Sequence, residues 1–270
     1  MASVILVTGG TGLVGKALQH IIETELVGSK FGKQPNETWM ATRVSLTFLR
    51  NVLHASYTHK TTKLISCLLT CVSPDKVEYP LDENKIHLGP PHESNFGYAH
   101  AKRMVDVQNH AYKEEFGCNF TSAIPTNIFG PYDNYDLENA HVIPALVHKC
   151  YLAKNMSPGT GKPLRQFIFS YDLAKLFVWI LREYDEVDPL ILSVGEDEEV
   201  SIKEVADAIV KGCRFRRALF HGQFRKSASN KKLLDRIGGF QFTPFEEALN
   251  LSVKWFVENY DAARTGMKKA

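Results

Sequence analysis

The chain is short of several things whose absence narrows its function. It has only five cysteines in 270 residues, Cys67, Cys71, Cys118, Cys150 and Cys213, an odd and scattered set. No disulfide framework is read from them, and a reducing compartment suits them. Cys67 and Cys71 lie too far apart, with no second pair, to argue for zinc, so no metal is expected. In a reducing compartment the sequons at Asn36, Asn119, Asn155 and Asn250 would never meet the glycosylation machinery. No apolar run approaches the about 20 residues of a membrane span. The N-terminus lacks a basic leader region, and glycines break its apolar run after Val7, so no signal peptide is read there and a cytoplasmic protein is expected. A net charge of +2, with 23% charged residues, points to neither a nucleic-acid binder nor an acidic tail. No repeat or low-complexity segment stands out.

What the chain does have is 44% hydrophobic residues, enough for a large core in one domain or two closely joined ones. Val4 to Val7 are four apolar β-formers that run into Thr8, Gly9, Gly10, Thr11, Gly12, Leu13, Val14 and Gly15. Helical spacing then resumes over Lys16 to Ile22. This reads as buried strand, tight turn and helix. Backbone amides and the positive end of the helix can there face an anionic diphosphate, and a Cβ would block the turn and the close approach. Further strands are expected at Thr38–Ala41, Lys63–Leu69 and Phe120–Ile124, and helices over Val44–Tyr57 and Tyr98–Phe116. Ser201 followed by Glu204 reads as a capping box opening an amphipathic helix. A last amphipathic helix, from Pro244 to Asp261, carries Trp255 and Phe256.

One interval is too short. A βαβ unit needs roughly 30 residues, and Glu23 to Thr62 has room for about one where a doubly wound sheet normally places two. The acidic residue expected on the adenine ribose has only Glu37 as a candidate, with Arg43 as an alternative for a 2′-phosphate.

Tyr98 and Lys102, four apart, share one face at the start of a helix. A nearby ammonium lowers a phenol's pKa, making Tyr98 a usable general acid; a solvated surface pair is the plain alternative. Cys71 by itself reads more readily as a small buried hydrophobe and His141 as a loop histidine, while Lys149 reads equally as a solvated helix charge. Arg165 could pair with Asp172. The basic cluster Arg214, Arg216, Arg217, Arg225 and Lys226 suits contact with a nucleotide diphosphate, or solvent, better than RNA.

Taken together, several stretches resemble the extended short-chain dehydrogenase/reductases, and within them the GDP-L-fucose synthase family. They are the glycine turn, Thr70-Cys71 with Pro74, Ser94 to Tyr98, Lys102, Ile124 to Pro131, Asp133-Asn134, Asn139 to Pro144 and Arg165 to Asp172. The resemblance implies a doubly wound, Rossmann-type parallel sheet, here lacking one or two strand–helix units, with a smaller C-terminal substrate-binding domain. The dinucleotide domain would span residues 1–133 and 165–196 and the substrate domain 134–164 and 197–262, leaving 263–270 as a frayed tail. It also implies an NADPH-dependent epimerase–reductase acting on a GDP-sugar as a homodimer. Cys71 and His141 would be the base and acid of epimerisation, Tyr98 the proton donor in reduction and Lys102 its partner. Asn127 would meet cofactor and sugar, and Lys149 and Arg165 the substrate diphosphate. A catalytically silent dinucleotide- or partner-binding form and a related nucleotide-sugar epimerase or dehydratase are the rival readings.

Three departures from that family are expected to matter. Leu69 stands where the family has a serine that donates to the keto oxygen, and Thr70, if on a strand, would point to the other face. The interval after the first helix lacks the third strand, the small-residue loop over the cofactor and most of the second strand. Met156 to Gly161 lacks a strand as well, and Arg214 to Gly222 is short.

Overall fold

A computed structural model describes residues 3–42, 49–152, 163–213 and 227–266. In chain order these form β1 (Ser3–Thr8), α1 (Leu13–Thr24), β2 (Glu37–Thr42), α2 (Leu49–Thr58), β3 (Leu64–Cys67), α3 (Phe96–Phe116), β4 (Phe120–Pro125) and β5 (Asn127–Phe129). Then come α4 (Val142–Tyr151), β6 (Leu164–Arg165), β7 (Phe167–Phe169), α5 (Ser170–Glu183), β8 (Leu190–Leu192), β9 (Val200–Ser201), α6 (Ile202–Cys213), α7 (Lys231–Ile237) and α8 (Phe245–Glu258). Each strand and helix expected above has its counterpart in these elements. Arg43, Met156 to Gly161 and the basic cluster from Arg214 to Lys226 lie outside the described residues.

The fold is α/β with parallel ladders, as expected. The sheet is divided among the described residues: β1 pairs with β2, and separately β3, β4 and β8 form a ladder in the order β3-β4-β8. All of these pairings are parallel, so the carboxyl ends of the strands in each ladder share one edge. The missing strand–helix unit accounts for the division, because the chain has too few residues between α1 and β3 to build it.

The two ladders are held in one frame by side chains. Ala17, Leu18 and Ile21 of α1 pack with Leu173, Phe177 and Ile180 of α5 and with Ala123, Leu190 and Leu192 beneath them. His20 stacks on Tyr171 with ring centroids 4.0 Å apart, and Lys175 pairs with Glu25 at 2.6 Å. A second core joins Phe129, Phe167 and Phe169 to α4, α6 and α8. There Trp255 and Phe256 seat α8 on the body, and the capping box forms as read: Glu204 N donates to Ser201 Oγ at 3.1 Å and Ser201 N to Glu204 Oε2 at 2.7 Å.

The tail is held further than expected. Tyr135 N donates to Arg264 O at 2.9 Å, and Arg264 Nη2 donates to Tyr132 O at 2.8 Å. Its first residues are therefore fixed by backbone pairing, and only residues 267–270 lie outside the described residues.

Parallel sheets are normally covered on both faces. Among the described residues the face of β1 and β2 away from α1 is open, with Val4 67%, Leu6 61% and Met40 54% exposed. Each forfeits roughly 1 kcal/mol of the burial energy a covered apolar side chain gains, a large share of a typical marginal stability. Replacing Leu6 and Met40 together by threonine should change unfolding free energy by less than about 1 kcal/mol while reducing dye binding and light scattering. Trp39→Ala, on the face that packs toward α5, should cost at least about 2 kcal/mol. Equal costs on the two faces in urea titrations would mean that the open face is covered.

Candidate active site

β1 ends at Thr8 and the chain turns through glycines whose requirement is geometric. Gly9 has φ +71°, in the left-handed region. A Cβ on Gly15 would lie 2.4 Å from Gly10 Cα, and one on Gly10 would lie 2.4 Å from Ala41 Cβ. The loop is thus pressed against itself and the end of β2, where Gly10 N donates to Thr42 O at 3.0 Å. Gly12 caps α1 with no side-chain hydrogen bond, so its first amides are left for an anion. Thr11 is exposed beside them, Leu13 is half-buried, and Val14 packs on the α1–α5 core. A dinucleotide diphosphate fits this cradle.

Glu37 is not the ribose ligand. In the parallel register it lies opposite Ser3, while Thr42 lies opposite Thr8, so it occupies the wrong end of β2, a full strand from the glycine turn. Its carboxylate accepts from Arg182 Nη2 at 2.8 Å, Gln34 N at 2.9 Å and Trp39 Nε1 at 3.1 Å. Burial opposes its ionisation, but these hydrogen bonds outweigh it and hold the carboxyl below its ordinary range. It pins β2 to α5.

The second half of the site stands at the end of β3. After Cys67 the chain passes through extended Leu69 into a one-turn 3-10 helix, Thr70–Val72, that carries half-buried Cys71. Strand alternation therefore does not govern Thr70. Leu69 occupies the N-cap of this turn and makes no side-chain cap bond. Across from it, α3 presents Tyr98, 40% exposed, and Lys102, 7% exposed. Lys102 Nζ donates to Cys67 O at 2.8 Å and lies 5.9 Å from the centre of the Tyr98 ring. Tyr98 and Lys102 each feel the thiols of both Cys71 and Cys67. The structure thus joins three of the expected residues, Tyr98, Lys102 and Cys71.

The electrostatics of that trio differ from the expectation. The Tyr98 phenol is held above its usual pKa, first by burial and then by the thiols of Cys71 and Cys67. Lys102 is pushed down by burial, against the pull of Cys67 and Cys71. Burial lifts the Cys67 thiol to about 11, with Lys102 opposing. Without ligand, Tyr98 is a firmly protonated donor rather than an activated one.

The remaining candidates sit on other elements. Asn127 opens β5, and its Nδ2 donates to Gln166 O at 2.9 Å, which leaves Oδ1 and a second N–H to face outward. His141 is the exposed N-cap of α4, and Lys149 lies half-buried in that helix's last turn. Arg165 is on β6, held by Nη1 donating to Leu164 O at 2.7 Å, with Tyr79 and Glu199 as its electrostatic neighbours. The pairing of Arg165 with Asp172 does not form; Asp172 accepts instead from Thr243 N at 2.8 Å and Thr243 Oγ1 at 2.9 Å. Sequence reading missed Gln166, which is 1% exposed and whose side chain bonds to Val194, Gly195 and Ala228 while its carbonyl fixes Asn127. No pattern could have marked it, since its partners are backbone groups brought near only by the fold.

A glycine cradle at the end of β1 and a Tyr-x-x-x-Lys helix on a parallel α/β frame define a nucleotide-dependent α/β enzyme class, and the comparisons agree. The model of the NAD dependent epimerase/dehydratase family matches residues 29–195, and the chain belongs to that family. Within it, the chain is 47% identical to the GDP-L-fucose synthase of Dictyostelium discoideum over 310 positions, covering 96% of this chain and 97% of the relative. It also matches the crystal structure of a GDP-L-fucose synthetase from Naegleria fowleri bound to NADP. That match has a TM-score of 0.89 at 39% identity, covering 97% of this chain and 96% of the other. A chain of 270 residues aligned over 310 positions leaves at least 40 of them without a residue of its own, so it is internally shortened.

One buried carboxyl near β5 titrates in an accessible range. Asp133 is 4% exposed, accepts from Asn134 N at 2.7 Å through Oδ1, and has no hydrogen-bond partner at Oδ2. Burial raises it from 3.8 to about 7, against Asn134 and Arg264. Between those values the folded chain holds a proton that the unfolded chain has released, so this group's contribution to stability falls as pH rises through the window and is flat above it. At about 1.4 kcal/mol per unit the loss is on the order of 4 kcal/mol at most. The stability of the parent relative to Asp133→Asn should therefore fall by roughly 2–4 kcal/mol from pH 4 to pH 8 in urea titrations. A constant difference would put the carboxyl in water.

Proposed function

We propose that the chain is an NADPH-dependent epimerase–reductase that converts GDP-4-keto-6-deoxy-D-mannose to GDP-L-fucose. The observation that carries this reading is the seating of Lys102, 5.9 Å from the Tyr98 ring, on the Cys67 carbonyl at the end of β3, with Cys71 in the turn that follows, in a chain 47% identical to a GDP-L-fucose synthase. Gly9, Gly10, Thr11, Gly12, Leu13, Val14 and Gly15 hold the dinucleotide diphosphate, and Tyr98, Lys102 and Asn127 line the rest of its site. NADPH, when bound, supplies the hydride. Residues 1–133 and 165–196 serve the dinucleotide, and 134–164 and 197–262 the sugar nucleotide.

Epimerisation beside a ketone needs a base on one face and an acid on the other. Cys71 removes protons from the carbons flanking the carbonyl, and His141 returns them on the opposite face. Tyr98, held protonated by burial, gives its proton to the keto oxygen during reduction. Lys102, anchored on the Cys67 carbonyl, stabilises the phenolate so formed. Asn127 orients the sugar with its free amide atoms, and Lys149 and Arg165 meet the diphosphate, which suits cationic side chains.

The protein acts in the cytoplasm as a homodimer. Phe96, Met104 and Val107, all about half exposed, lie on the solvent side of α3 away from Tyr98 and offer the apolar surface for pairing with a second copy. Met104→Glu should shift the mass in light scattering from two chains to one.

Purified protein should oxidise NADPH only when the 4-keto sugar nucleotide is present, and Cys71→Ser should suppress epimerisation, read as solvent deuterium entering the sugar. Leu69→Ser should raise turnover, since it restores a donor whose loss costs about 10²–10³ in rate and supplies an N-cap side chain to the turn bearing Cys71. Leu69 and the open β1–β2 face favour the second reading, a catalytically impaired form that still binds dinucleotide. NADPH binding without turnover, before and after Leu69→Ser, would establish it.

A further inference from the structure

Lys102 is followed in α3 by a second buried cation that the mechanism leaves unused. Arg103 is 9% exposed. Its Nε donates to Val72 O at 2.8 Å, Nη2 donates to the same oxygen, and Nη1 donates to Gly89 O at 2.7 Å. These acceptors are all main-chain carbonyls. Burying a guanidinium is costly, and burial does push Arg103 below its usual pKa. Three directed hydrogen bonds offset that cost only because the carbonyls stay where the guanidinium fork can reach them.

Val72 directly follows Cys71 and closes its one-turn helix, in which Val72 N donates to Leu69 O at 3.1 Å and Ser73 N to Thr70 O at 3.1 Å. The Gly89 end of the clamp is tied to the same turn a second time, because Asp75 N donates to Pro90 O at 3.0 Å. Lys102 holds the carbonyl of Cys67 before the turn, and Arg103 holds the carbonyl of Val72 after it. The two adjacent cations of the helix that bears Tyr98 thus bracket the segment bearing Cys71.

We propose that Arg103 is a positioning residue for the epimerisation step, fixing the Thr70–Val72 turn so that the Cys71 thiol keeps its place relative to Tyr98. This rests on the reading of Cys71 as the base. Misplacing a reacting group by about 1 Å can cost 10²-fold, and without Arg103 nothing else among the described hydrogen bonds grips the Val72 carbonyl. Lysine could keep one of these bonds but not the fork.

The test compares Arg103→Gln and Arg103→Lys with the parent and with Cys71→Ser. Deuterium incorporation into the 4-keto sugar nucleotide reads epimerisation. The rate of iodoacetamide labelling at Cys71, followed by peptide mass spectrometry from pH 6 to pH 10, reads the thiol directly. Arg103→Gln should lower the kcat for deuterium incorporation by 10-fold or more with KM changed less than threefold. Its Cys71 labelling profile should differ from the parent's by at least threefold, and Arg103→Lys should fall between. NADPH affinity, measured on the same samples, should stay within twofold and identifies folded protein. Parent-like labelling in a folded Arg103→Gln variant would overturn the proposal, as would lysine doing no better than glutamine. If Cys71→Ser keeps full deuterium incorporation, the base assignment fails instead, and the labelling profile still reports whether Arg103 sets the position of Cys71.

Discussion

The packing of α1 on α5 is the constraint from which the rest follows. Among the described residues, no ladder joins β1–β2 to β3–β4–β8, so the cradle for a diphosphate and the turn bearing Cys71 are carried by separate sheets. Ala17, Leu18 and Ile21 against Leu173, Phe177 and Ile180 set their distance, with the His20–Tyr171 stack at one point of the seam. The Arg182–Glu37 pair, at 2.8 Å and mostly buried, fastens the far end of β2 to the same helix. Strand pairing in a complete doubly wound sheet would fix this relation through backbone hydrogen bonds. Here it depends on side-chain interdigitation, whose close packing makes even small volume changes felt.

The local chemistry is better insulated from the shortening. Tyr98, Lys102 and Arg103 are on one helix of 21 residues, and Lys102 and Arg103 hold carbonyls of β3, of the turn after it and of Gly89. β3 pairs with β4 from Leu64↔Phe120 to Cys67↔Ala123, and Leu68 N adds a bond to Ala123 O at 2.7 Å. None of these contacts involves β1 or β2. The missing residues therefore bear first on how dinucleotide and sugar are brought together, and only second on the groups that move protons.

Much of this was legible in the sequence because local rules act over a few residues. The glycine turn was readable from steric need, and the Ser201–Glu204 box from two reciprocal hydrogen bonds three residues apart. Glu37 was misjudged because residue type was weighed without its place along the strand: a parallel register puts it beside Ser3, not Thr8. Thr70 escapes strand alternation because the extended chain ends at Leu69 and a one-turn helix begins at Thr70. The effect of Lys102 on Tyr98 was read from spacing alone, which carries no account of burial or of the two thiols. The roles of Gln166 and Arg103 left no signal. Both act on main-chain carbonyls, which every residue has, so only the fold reveals which ones they hold.

Leu69 is where the two scales meet. It caps the turn that Arg103 and Lys102 bracket, yet its side chain can neither bond that turn's amides nor donate to a keto oxygen. The turn keeps its shape regardless, because the restraints on it come from α3 rather than from its own cap. A position freed in this way from its structural duty can change without unfolding the protein, and the change is then felt only in chemistry. That separation explains how this chain can hold the turn bearing Cys71 close to Lys102 and Arg103 while carrying leucine at its cap.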